Sequence, residues 1–144
     1  MLQLQDYINA GKIASEVREN ARRKNHVGST LEEICNFIEK EIESKGGRCA
    51  FPVNVSLNEI AAHYTAEPND TITVKDTDLL KIDLGVQING HIADTAVTVC
   101  YDPKYDFLVQ AAESALREAM AIIRSGTKSS DVGKTIENTV KHMG

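Results

Sequence analysis

No apolar run in this chain approaches the ~20 residues a membrane-crossing helix needs. The N-terminus, polar and mixed in charge at Gln3, Gln5 and Asp6, has no signal-peptide core. The expected location is therefore the cytoplasm, with no membrane partner. Cysteine is sparse: Cys35, Cys49 and Cys100 are odd in number, widely spaced and without a C-x-x-C pair. That excludes a disulfide framework and a zinc ribbon, and leaves reduced, buried thiols. A strong charge of one sign is also missing, since 16 basic residues face 21 acidic ones, which argues against a general nucleic-acid binder. The one basic run, Arg22-Arg23-Lys24, falls at an expected helix C-terminus, where cations answer the helix dipole and solvent. Internal repeats, low-complexity tracts and linkers are absent, and Pro52, Pro68 and Pro103 all fall between periodic segments. What is present is a chain of 144 residues, 42% hydrophobic and 26% charged, enough to bury a core as one continuous domain, 1–144.

Periodicity then divides the chain. Ile8, Ile13, Ala14, Val17 and Ala21 recur near helical spacing, with Asp6 able to cap their start. A second helix is expected to open on Ser29 and Glu32 at capping-box spacing, to carry Leu31, Ile34, Cys35, Ile38 and Ile42 on one face, and to stop at Gly46-Gly47. From Leu79 the pattern changes to alternation, with Leu80, Ile82, Leu84, Val86 and Ile88 set between Lys81, Asp83, Gly85 and Gln87, before Asn89-Gly90. Alternation into Asn-Gly predicts a β-hairpin, with a return strand from His91 to Cys100 rich in Ile, Thr and Val. Beyond Pro103 a broad helical face is expected from Phe107, Leu108, Ala111, Ala115, Leu116, Ala119 and Ile123, ended by Gly126. A last helix after Ser130 would use Val132, Ile136 and Val140.

A two-residue turn at Asn89-Gly90 sets Ile88 opposite His91, and so Asp83 opposite Ala96 and Asp94 opposite Gly85. Residues opposite each other, or two apart on one strand, share a face, which makes Asp83 and Asp94 diagonal neighbours roughly 7 Å apart or less. The other face of the first strand is wholly apolar and reads as the core side, leaving the carboxylates on a polar cleft floor. Such a pair repels itself unless a proton, a basic group or a cation neutralises it. One metal ion, or two ions roughly 3.5 to 4 Å apart, would suit the geometry. The plain alternative is two ordinary surface aspartates, with Lys81 neutralising Asp83. The small residues Gly85 and Ala96, opposite each carboxylate, favour ions by leaving room.

The string KIDLGVQINGHIADTAVTV, Lys81 to Val99, resembles the metal-binding hairpin of methionine aminopeptidases. Upstream, FPVNVSLNEIAAHYTA, Phe51 to Ala66, is similar to the type II form, with Asn54 and Asn58 ahead of Ala62-His63-Tyr64-Thr65. The resemblance implies an α+β fold: the N-terminal half of a pita-bread architecture, an antiparallel sheet covered by helices. It implies that Asp83 and Asp94 are metal ligands for a pair of divalent ions (cobalt, manganese, iron or zinc). It further implies that His63 is a catalytic residue contacting substrate near the scissile amide, and that Phe51 lines the methionine pocket. The substrates implied are N-terminal Met peptides and nascent chains. Ser56 and Glu59 also stand at capping-box spacing, which would start a helix at Ile60; the resemblance runs that segment extended instead. His26, His91 and His142 match no motif and are expected to face solvent.

In the family a Gly-His motif and two glutamates from a second half complete the site, and none of these motifs follows here. The expectation is an isolated half lacking its C-terminal partner, with weak metal binding, little or no peptidase activity, and an unpaired sheet edge that promotes self-association. A proteolytic piece or a split gene would read the same way. Two rival functions stand beside it: a non-catalytic pita-bread binding module, which retention of Asp83, Asp94 and His63 disfavours, and a proline-specific dipeptidase, which lacks the type II string.

Overall fold

Alternation closing on Asn89-Gly90 produces the expected hairpin, with β3 (Leu79–Ile88) and β4 (His91–Cys100) running antiparallel. In the computed structural model, which describes residues 4–144, Asn89 and Gly90 have φ of 50° and 82°. Paired positive φ gives a two-residue turn whose twist matches that of the strands. The register is the expected one: Ile88 faces His91, Gly85 faces Asp94 and Asp83 faces Ala96. Leu80, Ile82, Leu84 and Val86 are completely buried on one face. Each such side chain contributes about 1.5–3 kcal/mol on burial, so a one-residue slip, which would turn all of them to solvent, is heavily penalised.

Two helices cover that face. Helix α1 (Leu4–Arg23) buries Ala10, Ala14, Val17 and Ala21, a stripe of small side chains. The stripe departs from expectation at its start: Ala10 is buried and Ile8 is exposed. Asp6 is not the cap but lies in the first turn, where it accepts a hydrogen bond from Asn89 Nδ2 at 3.1 Å and ties α1 to the hairpin turn. Helix α2 (Leu31–Ser44) buries all five residues expected of it. Its capping box is Thr30 with Glu33, one residue later than the expected Ser29 with Glu32. The shift has a tertiary cause. Ser29 and Leu31 are both tied by backbone hydrogen bonds to the segment around Val74 and Ile72, and Thr30 bridges Thr73, so Thr30 is the last extended residue. The chain leaves α2 through Gly46, whose φ of 83° suits a helix exit.

β4 occupies one edge of β3 along its whole length, so β1 (Arg48–Cys49) and β2 (Asn54–Leu57) share the other. Their registers do not join. Cys49 faces Val86 and Asn54 faces Asp83, so residues 50–53 oppose only Leu84 and Gly85. This is a bulge, and it contains Pro52, which has no amide to offer a ladder. The possible helix at Ile60 does not form: Ser56 is spent in β2, its hydroxyl accepts from the Tyr64 amide, and Asn58 turns the chain at φ 51°.

Two histidines depart from expectation. His26 is fully buried, with Nε2 2.7 Å from the Ala21 carbonyl, one of the oxygens that the end of α1 leaves without a helical partner. Burial pushes its pKa down, and the nearby Lys24 charge acts in the same direction. His91 is half-buried, edge-on to Tyr7 at 4.7 Å and 3.8 Å from Asp6. His142 is exposed, as expected. The basic run is not simply solvated, because Lys24 lies over the Phe37 ring at 3.7 Å and Arg22 pairs with Glu19. Cys35 is buried and Cys49 and Cys100 are half-buried, the Cys100 thiol donating to the Asp102 carbonyl at 3.0 Å.

Residues from Pro103 onward form a second compact unit, built from a 3-10 turn (Pro103–Tyr105), α3 (Asp106–Ile122) and α4 (Ser129–Met143), the two helices packed together. On the face expected of α3, Ala115 and Ala119 are buried, whereas Phe107, Leu108, Leu116 and Ile123 are exposed, as are Ile136 and Val140 of α4. Among the described residues no helix is long and apolar enough to cross a membrane.

Candidate metal centre

The face of the sheet turned away from α1 and α2 carries the candidate site. Asn54, Asp83 and Ala96 form one row across β2, β3 and β4, and Gly85 with Asp94 form the next. Asp83 is half-buried and Asp94 exposed. Burial raises the Asp83 pKa above its ordinary range, and the negative charge of Asp94 raises it further; a hydrogen bond from Asn54 and the charge of His63 pull the other way. The two carboxylates are therefore close enough to repel, and His63 and Asn54 are close enough to act on one of them.

Lys81 does not answer that repulsion. It shares the face, but its ammonium donates to the Asn58 carbonyl at 2.6 Å. Desolvation lowers its pKa, opposed by the charge of Glu59.

His63 stands exposed in the segment between β2 and β3, in a left-handed backbone conformation at φ 67° that is costly for a residue with a Cβ. The residues that follow hold it there. The Tyr64 carbonyl accepts from the Val55 amide at 2.7 Å, the Tyr64 hydroxyl donates to Asp70 at 2.7 Å, and the Thr65 hydroxyl donates to the Val53 carbonyl at 2.8 Å. His63 also borders a concavity of about 550 Å³ that runs along residues 63–71 and includes Glu67, Pro68 and Asp70.

The expected open space at Gly85 is occupied. A Cβ built there would stand 2.3 to 2.9 Å from three ring atoms of Phe51, so the missing side chain makes room for an aromatic ring and not for an ion. Ala96, opposite Asp83, does remain exposed. In the sequence Asn54 stands out only as a member of the Phe51–Ala66 string. Its signal was its place in a short strand whose register brings it beside Asp83.

A crowded carboxylate pair is a hard-oxygen donor set of the kind divalent cations neutralise. Among the described residues no group of three His, Cys, Asp or Glu side chains comes together to hold a metal ion. Asp83 and Asp94 by themselves offer two carboxylates of this oxygen-donor kind on one face of the ribbon.

A model of metallopeptidase family M24 matches residues 5–144. A methionine aminopeptidase of Pyrococcus horikoshii is 48% identical over 137 residues, 95% of this chain and 46% of that protein. The chain spans about half the length of the curated relatives it matches. Among solved structures, the methionine aminopeptidase of Thermotoga maritima has a TM-score of 0.88 at 24% identity, over 99% of this chain and 61% of that one. An Escherichia coli aminopeptidase P has a TM-score of 0.87 at 20% identity, over 98% of this chain and 33% of that one. Two differently named peptidases fit the backbone equally well, so the fold does not distinguish their substrates.

Proposed function

The chain belongs to metallopeptidase family M24 and has its pita-bread fold, and from that premise we propose that residues 1–144 supply the N-terminal half of the catalytic domain of a type II methionine aminopeptidase. The observation that carries this reading is the carboxylate pair, Asp83 and Asp94, crowded on one face of the hairpin while Lys81 is engaged elsewhere. The 48% identity to a methionine aminopeptidase favours that substrate over X-Pro peptides.

In this reading Asp83 and Asp94 hold two divalent ions, together with ligands supplied beyond the matched residues. Bound ions supply Lewis acidity toward the scissile carbonyl and lower the pKa of water at the site. Asn54, hydrogen-bonded to Asp83, keeps that carboxylate oriented and ionised. His63, held outward by its anchored loop, contacts the substrate near the scissile amide. Phe51 is the apolar wall for the methionine side chain, and limited space beyond it selects a small second residue. Oxygen donors discriminate weakly among cobalt, manganese, iron and zinc, so availability decides the metal. N-terminal Met peptides and nascent chains are the proposed substrates. The cytoplasm is the proposed location, supported by Cys35, a buried thiol outside any disulfide.

The test is reconstitution. The chain is mixed with the portion of the Pyrococcus horikoshii relative that it does not match, loaded with manganese or cobalt, and assayed on Met-Ala and X-Pro peptides. Methionine release that disappears in Asp83→Ala and Asp94→Ala is the expected result. Release indifferent to both changes refutes it, and preference for X-Pro peptides moves the assignment to a proline-specific peptidase.

A further inference from the structure

Between β1 and β2 the chain carries four residues where β3 offers two. The excess cannot lie flat in the ladder, so residues 50–53 arch off the strand. The Ala50 amide, donating to the Gly85 carbonyl at 2.9 Å, anchors the start of the arch, and the fully buried Val53 returns it to the core. Within this arch the Phe51 ring folds back onto Gly85. A Cβ at that position would stand 2.3, 2.8 and 2.9 Å from ring atoms, distances no carbon pair tolerates. Gly85 itself sits inside β3 without a left-handed φ, so backbone freedom is not what the glycine provides. What matters is the bare Cα.

Gly85 faces Asp94 directly across the ribbon, and Asp83 is its neighbour on the same face, two strand rises or about 7 Å away. The seat therefore puts one face of a half-exposed ring on the strand, beside both carboxylates. We propose that Gly85 is a positioning residue for specificity: by seating Phe51 it fixes the wall that selects a long, unbranched apolar side chain at the substrate N-terminus. The proposal rests on the aminopeptidase reading above. A methyl group at position 85 displaces the ring, which is the free end of a side chain, and leaves the strand and the carboxylates where they are.

The experiment uses the manganese-loaded reconstituted assembly. Gly85→Ala raises KM for a Met-Ala-Ser peptide roughly 10-fold with kcat within about twofold, and narrows the preference for N-terminal Met over Leu. Phe51→Ala does the same, and the double variant is no worse than Phe51→Ala alone, because the seat has no further role once the ring is gone. NMR of the chain alone gives a readout free of catalysis: the Gly85 α-protons are shifted upfield by the ring, and the shift is lost in Phe51→Leu. Unchanged KM in Gly85→Ala, additive losses in the double variant, or absence of the upfield shift each overturn the proposal. A wild-type assembly that releases no methionine removes the functional reading and this specificity role with it, whereas release by wild type with an indifferent Gly85→Ala removes this role alone.

Discussion

The two faces of β3 are built from alternate residues of one strand and obey different physics. Leu80, Ile82, Leu84 and Val86 are stripped of water completely, while Lys81, Asp83 and Gln87, interleaved with them, keep partial access to it. On the dry face every side chain gains by burial. On the wet face Asp83 is held at a cost, beside a second negative charge. The contrast teaches that stability and chemistry are separable in this ribbon at single-residue resolution, since a strand's pleat sends neighbours to opposite sides.

The sharpest way to break that comparison is to remove one carboxylate. Asp83→Ala or Asp94→Ala should lower methionine release by the reconstituted assembly by more than about 100-fold, beyond the loss typical of groups that merely support a metal ligand, while urea unfolding of the metal-free chain shows no loss of stability. Parallel loss of both would mean that the wet face is structural. On the dry face, Leu84→Ala should cost about 2–5 kcal/mol in urea unfolding, and a cost under about 1 kcal/mol would refute the burial assigned to it.

A pH series separates the faces further. Asp83 has its pKa raised above the ordinary 3.8, so the metal-free folded state binds this proton more tightly than the unfolded chain does. The resulting stabilisation is complete below about pH 3.8 and is lost as pH rises through the higher folded value. Asp83→Asn should flatten this part of the stability profile, and an unchanged slope between wild type and variant would contradict the crowding. The smallest effect is expected where an apolar side chain lies in the open: Leu116→Ala on α3, 59% exposed in this structure, should change the stability of the chain by less than about 0.5 kcal/mol. A core-sized loss there would show that this leucine is covered in solution.

Much of the first unit was readable beforehand. The hairpin register, the five buried residues of α2 and the shared face of Asp83 and Asp94 all follow from spacing, and the structure has each of them. The misses have local causes. Thr30 displaces Ser29 as the cap because a strand bridge to Thr73 holds it extended. His26 is buried because it caps a carbonyl at the end of α1, a role that its sequence neighbours do not signal. From sequence Gly85 reads as open space for ions, because the two extra residues opposite it, which bring Phe51 over, are invisible without the register of β1 and β2. On α3 the helical pattern marked an apolar face without saying how much of it would be buried.

By itself the sequence determined the ribbon and the direction in which its acidic side chains point, because period-two alternation into a two-residue turn leaves one register that keeps four aliphatic residues dry. Tertiary structure alone decided what surrounds them: the ring seated on Gly85, the Lys81 ammonium drawn to Asn58, and His63 held in a left-handed turn. Those arrangements depend on contacts between segments far apart in the chain. No local pattern encodes such contacts until the backbone has brought the segments together.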